Sequence, residues 1–203
     1  MKIKEIIVAS LIGALSIVPF NAQAESIITK SITTAPGVSI DTSLYIPSKT
    51  PAPAILIAHG FGGSKDSVAS DAQYFASKGY VVLTWTARGF GKSTGQISMN
   101  AQDGEVADTR ALISYLSKSK YVTQDKADDP RVGIMGGSYG GANALLSASA
   151  DSRIDAVATA HLFNFIGSGL KNAREYLVAE GVSLPIWNSD IAHRISGKGN
   201  YGR

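Results

Sequence analysis

The stretch RVGIMGGSYGGANALLSASA, residues 131–150, decides the fold of this chain. The apolar run 132–135 is typical of a buried strand, two glycines follow it, and alanine and leucine then recur at helical spacing. Ser138 lies at the corner, between Gly136 and Gly140 in a G-x-S-x-G pattern. Glycine is favoured beside such a serine because a β-carbon there would collide with the neighbouring backbone. The pattern therefore predicts a nucleophile elbow, a tight strand-to-helix turn that lifts the Ser138 hydroxyl clear of a sheet.

A glycine-rich turn that serves only close packing is the alternative interpretation of this stretch. The chain contains 21 glycines among 203 residues, so the five-residue pattern alone is weakly specific. Its context makes it specific, because an elbow requires a strand before the serine and a helix after it. Both are predicted here, and they favour the elbow.

The first 24 residues have the pattern of a secretory signal peptide. Lys2 and Lys4 give a basic start, residues 6–20 are mostly apolar, and Ala22-Gln23-Ala24 fits an A-x-A cleavage site. The apolar stretch is shorter than the roughly 20 residues that a membrane-spanning helix needs. We therefore expect cleavage, a secreted or periplasmic protein with no membrane span after cleavage, and one domain in residues 25–203.

Composition excludes several classes of function. The chain has 19 Lys and Arg against 16 Asp and Glu, a formal net charge of +3, and no basic cluster, so we do not expect a nucleic acid partner. It has no cysteine, which excludes disulfides, thiolate metal sites and a cysteine nucleophile. Its three histidines lack the His-x-x-x-His spacing of a helical metal site. We expect no metal and no cofactor, and the oligomeric state is left open.

The remaining apolar patterns predict a mostly parallel α/β sheet that begins with an antiparallel hairpin and carries helices on both faces. Strands are predicted at residues 26–33, 38–46, 54–58, 80–86, 132–135 and 155–161. Helices are predicted at 64–78, capped by Ser64, at 103–119 and after Ser138, with a loop before residue 132. A further helix is possible at 170–178, and the polar, glycine-rich residues from about 181 to 203 are expected to be loosely ordered.

Four blocks carry a resemblance to a known family. They are AHGFGGSKDS (58–67), GYVVLTWTARGFGKSTG (79–95), EVADTRALISYL (105–116) and RVGIMGGSYGGA (131–142). In this order and spacing the chain resembles the α/β-hydrolases of the Xaa-Pro dipeptidyl-peptidase and cocaine-esterase-like family, over residues from about 39 to 160. The resemblance implies that residues 25–203 form an α/β-hydrolase domain. It also implies acyl transfer from an amide or ester to water, with a peptide or a small molecule as substrate.

The same resemblance assigns three residues to the reaction. Ser138 is the implied nucleophile, and the oxyanion donors are the backbone N–H groups of Tyr139, which follows it, and of Phe61 in the HGFG loop. The cocaine-esterase branch has a tyrosine at the position of Phe61, where its hydroxyl supplies a donor. With phenylalanine, only the backbone N–H can serve. Four charged residues also match the family pattern and are interpreted as loop and helix-start electrostatics: Arg88, Glu105, Asp108 and Arg110.

The sequence does not identify the acid and the histidine that would complete a triad. In this fold the order along the chain is serine, then Asp or Glu, then His. The available acids are Asp155, Glu175, Glu180 and Asp190, and the available bases are His161 and His193. His161 is better explained by a strand-end role, and Asp190 and His193 would share one short loop. His59 precedes the nucleophile and fits the family's HG turn, so it is predicted to shape the loop.

The family's later blocks are not recognisable in this chain. We therefore expect the C-terminal part of the fold to be incomplete, and little or no turnover if the chain is complete at Arg203. Two alternatives to an active serine hydrolase stay open, a non-catalytic hydrolase-like binding module and a non-functional truncated product. The substrate and the choice between peptide and ester are also open.

Overall fold

The computed structural model describes residues 24–161, together with the isolated position Ala179. The predicted leader, apart from Ala24, lies outside the described residues. So do the predicted helix at 170–178 and the predicted loosely ordered stretch from about 181 to 203.

Strands and helices alternate along the described chain in the predicted order. The elements are β1 (Ser26–Ala35), β2 (Val38–Ile46), β3 (Ala54–Ala58), α1 (Ala69–Ser77), β4 (Val81–Trp85), α2 (Glu105–Leu116), β5 (Gln124–Lys126), β6 (Asp129–Pro130), β7 (Val132–Gly137), α3 (Tyr139–Ala150) and β8 (Ile154–Ala160). The hairpin turn between β1 and β2 contains Gly37 at φ 74°, a left-handed conformation that glycine adopts without strain. The predicted positions of these elements are correct to within a few residues.

Six strands form one sheet in the order β1-β2-β4-β3-β7-β8. The first two pairs, β1 with β2 and β2 with β4, are antiparallel, whereas β4, β3, β7 and β8 run parallel. This is the mostly parallel sheet with an N-terminal antiparallel hairpin that the sequence predicts. Because parallel strands end at the same edge of a sheet, the loops after β3, β7 and β8 lie together at that edge.

The central strands are continuous apolar runs because both of their faces are covered by other apolar side chains. On one face Leu56 and Leu83 pack with the stripe Leu112, Ile113 and Leu116 of α2. On the other face Ile57 and Val82 pack against Ala72 and Ala76 of α1. The apolar stripe predicted for α2 is thus buried as expected, and helices lie on both faces.

Two local features differ from the sequence prediction. The predicted loop before residue 132 contains a short antiparallel ladder, in which Gln124 pairs with Pro130 and Lys126 pairs with Asp129. Ser64 does cap a helix, but the first turn is a 3₁₀ helix at Lys65–Val68, and α1 begins only at Ala69. The pairs in the ladder are too few to give a periodic signal in the sequence.

Within the part of the chain that the structure describes, no helix combines the length and the apolar character needed to cross a bilayer.

Candidate active site

Ser138 occupies a sharp corner between β7 and α3. Its backbone has φ 54° and ψ −120°, a conformation that glycine adopts readily and other residues adopt only under strain. Its amide donates to the carbonyl of Ala160 at the end of β8 (2.9 Å), and its own carbonyl accepts from the amide of Ala142 (3.0 Å). Ser138 is solvent-exposed, whereas Tyr139 beside it is buried. The geometry is that of the predicted nucleophile elbow.

The glycines around Ser138 are required by close backbone packing, as predicted. A Cβ built at Gly136 would lie 2.5 Å from the carbonyl carbon and oxygen of Gly140 and 3.0 Å from the carbonyl oxygen of Ala58. A Cβ at Gly140 would lie 2.6 Å from the carbonyl oxygen of His59. The sequence analysis did not single out Gly141, but a Cβ there would lie 3.0 Å from the carbonyl oxygen of Gly136. The turn and β3 are therefore packed against each other with no room for a side chain.

The loop after β3 brings Phe61 beside the elbow. Gly60 and Gly63 close a turn through a 3.0 Å hydrogen bond, and a Cβ built at Gly60 would lie 3.9 Å from the carbonyl oxygen of Gly137. The Phe61 ring is 61% exposed and makes an edge-on contact with the Tyr139 ring at 5.6 Å between centroids. Within residues 24–161, neither the Phe61 amide nor the Tyr139 amide donates to a protein acceptor. Among these residues, the two backbone N–H groups predicted as oxyanion donors are therefore not engaged by other protein groups.

His59 is buried and both of its ring nitrogens are engaged. Nδ1 lies 2.7 Å from the carbonyl oxygen of Gly60, and Nε2 lies 2.9 Å from the amide of Ala87. Because an amide can only donate, Nε2 accepts, so the ring proton is on Nδ1, which donates to Gly60. Burial lowers the pKa of His59. This neutral ring shapes the loop, as predicted, and has no nitrogen available to take a proton from Ser138.

The other acid and base candidates are only partly within the described residues. Asp155 lies at the amino end of β8 and accepts from the amide of Val132 (2.8 Å), so it is at the opposite edge of the sheet from Ser138. His161 directly follows β8, with φ 58°, and its Cδ2 lies 4.0 Å from the position that a Cβ would take at Gly137. The remaining candidates lie outside the described residues: Glu175, Glu180, Asp190 and His193.

Two charged clusters that the sequence identified only as electrostatics are buried beside the elbow. Arg88 donates to Asp108 through Nε (2.6 Å) and Nη2 (2.8 Å), a bidentate ion pair that raises the pKa of Arg88. Glu105 accepts a hydrogen bond from the hydroxyl of Tyr139 (2.9 Å). Asn100, which the sequence analysis did not select, donates from Nδ2 to the carbonyl oxygen of Tyr139 (3.1 Å). The signal that could have identified Asn100 is weak, because an asparagine in a polar loop usually indicates only a turn.

No group of three or more His, Asp or Glu side chains in the described residues is arranged to hold a metal ion.

Comparison with known proteins agrees with this architecture. Residues 36–168 match the family model described as X-Pro dipeptidyl-peptidase (S15 family). The chain is 35% identical to the quorum-quenching protein AidA of Acinetobacter baumannii over 123 residues, which cover 59% of this chain and 39% of that protein. It is 31% identical to the uncharacterized protein YcjY of Escherichia coli over 156 residues, which cover 74% of this chain and 49% of that protein. The chain thus spans about half, or less, of the length of these curated relatives.

A solved structure supports the fold class. The α/β-hydrolase GrgF from Penicillium superposes with a TM-score of 0.59 at 20% identity, over 85% of this chain and 56% of that one. The predicted α/β-hydrolase fold and the predicted family resemblance are both confirmed. The matched region includes β3, the elbow and the loops between them, and it covers more than half of the chain. The chain therefore belongs to the X-Pro dipeptidyl-peptidase (S15) family of α/β-hydrolases.

Proposed function

We propose that this protein is a serine hydrolase in which Ser138 attacks an acyl carbon and forms an acyl-enzyme. The observation that carries the proposal is the Ser138 corner, with φ 54° and ψ −120° and an exposed side chain, between glycines that the backbone packing requires. Membership of a hydrolase family adds support. A residue in so strained a conformation persists only where the surrounding structure holds it, and such positions cluster at reactive sites.

The backbone amides of Tyr139 and Phe61, as the proposed donors of an oxyanion hole, supply the second element of the proposal. The attack converts the substrate carbonyl into an oxyanion, which needs preorganised donors in a site with little water. Tyr139 is the first residue of α3. The first amides of a helix have no intrahelical partner, and that end of the helix carries partial positive charge. The second proposed donor is the N–H of Phe61, in the loop after β3, whose ring contacts the ring of Tyr139. The Phe61 side chain is a hydrocarbon, so the donor there is the backbone alone.

A general base must accept the proton of the Ser138 hydroxyl. His59 is ruled out by the hydrogen bonds to both of its nitrogens. His161 and His193 are the remaining histidines of the chain. His161 follows the residue whose carbonyl accepts from the Ser138 amide, so it lies at the same edge of the sheet as the nucleophile.

The experiment is active-site labelling of the purified 203-residue chain with a fluorophosphonate probe, together with hydrolysis of nitrophenyl esters and of an Xaa-Pro nitroanilide. The proposal predicts labelling that Ser138→Ala abolishes and that Ser149→Ala, an exposed serine further along α3, leaves unchanged. Such labelling would replace the expectation of little or no turnover that the missing family blocks gave, because it requires a base within these 203 residues. Comparison of His161→Gln with His193→Gln identifies the base, since only the true base slows the reaction steeply. Labelling that persists in Ser138→Ala overturns the proposal. A folded chain that is never labelled does so too, and favours a non-catalytic binding module.

We also propose that the protein acts outside the cytoplasm, on a small molecule or a peptide and not on nucleic acid. The leader pattern of residues 1–24 supports export. Glu25, directly after the leader, belongs to the fold, since its amide donates to the carbonyl of Ile46 in the sheet (2.9 Å). Expression of the full chain in a bacterial host, followed by fractionation and N-terminal sequencing, tests this. A mature chain that begins at Glu25 supports export, whereas a cytoplasmic chain that begins at Met1 contradicts it.

A further inference from the structure

We propose that Glu105 and Asn100 are positioning residues that fix Tyr139, and with it the backbone N–H that follows the nucleophile. The inference deepens the serine hydrolase function proposed above and rests on it. It assigns a positioning role to two buried residues that act through their hydrogen bonds to Tyr139.

Tyr139 is held at two separate points. Its phenol hydroxyl donates to Oε1 of Glu105 (2.9 Å), and its carbonyl oxygen accepts from Nδ2 of Asn100 (3.1 Å). Burial and the neighbouring carboxylate raise the pKa of the Tyr139 phenol, so the hydroxyl remains a donor over the whole working range of pH. With its side chain and its carbonyl both fixed, the residue cannot rotate about its backbone, and the direction of its N–H is set.

Glu105 is itself anchored by three further donors. Oε1 accepts from the amide of Ser98 (2.7 Å), and Oε2 accepts from the Ser98 hydroxyl (2.5 Å) and from the amide of Asn100 (3.0 Å). Glu105 is 1% exposed, and burial alone would raise its pKa, but these hydrogen bonds hold the pKa of the carboxyl below its usual value. The side chain is therefore a carboxylate whose four donors leave it one orientation.

The contacts close into a ring that joins the first turns of α2 and α3. Oδ1 of Asn100 accepts from Nδ2 of Asn143 on α3 (3.1 Å), and Oδ1 of Asn143 accepts from the hydroxyl of Thr109 on α2 (2.9 Å). The Thr109 hydroxyl also lies 3.1 Å from the carbonyl oxygen of Glu105, its neighbour one helical turn earlier. All five members are buried. A buried polar network in which each member is satisfied holds a single arrangement, because any other arrangement leaves a polar group unpaired.

The loop that carries Asn100 is shaped for this contact. Met99 and Asn100 are consecutive left-handed residues, with φ 54° and 62°, and asparagine tolerates that region better than most residues. A Cβ at Gly104 would overlap the Ser98 hydroxyl that Glu105 binds. Strained backbone of this kind persists only where the surrounding structure holds it. It is held here by hydrogen bonds that converge on the residue after the nucleophile.

The size of the effect follows from the geometry of an oxyanion hole. Loss of one donor costs about 100- to 1000-fold in rate, and a misplacement of about 1 Å costs on the order of 100-fold. Substitution in the ring displaces the Tyr139 N–H without removing it. We therefore expect the rate of Ser138 acylation to fall by about 10- to 100-fold, with little change in KM for a small ester, because the lost contact forms with the oxyanion and not with the bound substrate.

The test compares three nearly isosteric variants with a control in the full chain. Each variant keeps the backbone and disrupts the clamp, that is, the hydrogen bonds of Glu105 and Asn100 that hold Tyr139. Tyr139→Phe removes the hydroxyl donor, and Asn100→Asp replaces the donor Nδ2 by an acceptor that faces the Tyr139 carbonyl. Glu105→Gln replaces one carboxylate oxygen, which accepts two hydrogen bonds, by an NH2 group. The control is Asp151→Asn, which weakens the partly buried ion pair with Arg153 at the other end of α3 (2.6 Å). This variant lowers stability, but the altered contact lies about 18 Å from the elbow, measured along α3. The readouts are the second-order rate constant of fluorophosphonate labelling, kcat and KM for a nitrophenyl ester, and the urea midpoint of each variant.

The proposal predicts that the three clamp variants are slow in labelling while the control reacts at the rate of the wild type. The double variant Glu105→Gln, Tyr139→Phe should be no slower than the slower of the two single variants, because the contact that they share is broken only once. Wild-type rates in all three, or a fall that tracks the loss of stability in all four proteins, overturns the positioning role.

Failure of the proposed function gives a different result, since the wild type itself would not be labelled. Amide hydrogen exchange in a peptide covering residues 136–141 then decides the positioning role. Faster exchange in Asn100→Asp and Tyr139→Phe than in Asp151→Asn supports it, and equal exchange contradicts it.

Discussion

Alanine at Gly136 should damage both the stability and the reactivity of this protein, whereas alanine at Gly133, on the same strand, should do neither. A Cβ at Gly136 would lie 2.5 Å from the carbonyl group of Gly140 and 3.0 Å from that of Ala58. A Cβ at Gly133 would lie 3.5 Å from its nearest neighbour, the carbonyl oxygen of Ala156, which is an ordinary contact. The two substitutions add the same atoms, three residues apart.

The magnitude follows from what must move. Non-bonded heavy atoms are comfortable at about 3.5 Å, so the backbone around Gly136 must open by about 1 Å. Overpacking costs about 1–3 kcal/mol when neighbours can yield, and here both obstacles are backbone in the turn and in β3, so we expect a loss of about 3 kcal/mol. For a domain of this size that lowers Tm by about 6–12 °C. Gly133→Ala should leave stability unchanged or raise it by up to about 1 kcal/mol, since alanine restricts the unfolded chain.

Urea unfolding of the two variants and the wild type, followed by circular dichroism, measures the difference through the midpoint at constant slope. The labelling rate of Ser138 is read on the same samples, and it should fall at least about 100-fold in Gly136→Ala because the elbow itself is displaced. The reasoning is refuted if Gly136→Ala unfolds within about 1 kcal/mol of Gly133→Ala and labels at the wild-type rate.

Four further predictions concern strain, buried charge and, in two cases, pH. Ser138→Gly should abolish labelling, as Ser138→Ala does. Because glycine relieves the strain of the positive φ, the free energy of unfolding of Ser138→Gly should exceed that of Ser138→Ala by about 1–2 kcal/mol, and its urea midpoint should be higher. Equal midpoints would show that the corner is unstrained. Arg88→Met should cost about 3–5 kcal/mol in urea unfolding, because Asp108 is left as a buried charge without its partner; a loss below about 1 kcal/mol would contradict the buried pair. The folded-state pKa of His59 lies below 6.5, so the unfolded chain takes up the proton first and the free energy of unfolding should fall as the pH drops below about 6.5. His59→Gln should flatten that part of the stability curve, and an unchanged slope would remove His59 as its cause. The pKa of Glu105 lies below 4.5, so the stability that it contributes is present above that pH and is lost only at lower pH, where Glu105→Gln should show a flatter curve than the wild type.

The local elements of the fold follow from the sequence because their signals are local. Continuous apolar runs such as Ala54–Ala58 indicate strands buried on both faces, and the order of strands and helices then leaves few topologies. The elbow was predictable for the same reason, since a strand, two glycines, a serine and a helix are consecutive in the chain. The short ladder at Gln124–Lys126 was missed because three residues carry no period.

The helix after the elbow shows where periodicity misleads. Leu145 and Leu146, which help to predict α3, are 41% and 37% exposed, whereas its buried residues are mainly small or polar, among them Gly140, Gly141 and Asn143. The helix must approach the sheet closely to form the corner, and large side chains on that face would prevent the approach. The requirement comes from the neighbouring strand and leaves no hydrophobic stripe to detect.

The sequence by itself determined the class of fold, the place of Ser138 at the strand-to-helix turn and the family, because each depends on residues that are neighbours along the chain. Only the tertiary structure decided which polar groups meet. It paired both nitrogens of His59, placed Asp155 at the far edge of the sheet, and brought Glu105 and Asn100 against Tyr139. These contacts join residues up to 39 positions apart, and their energy exists only where burial removes water from both partners.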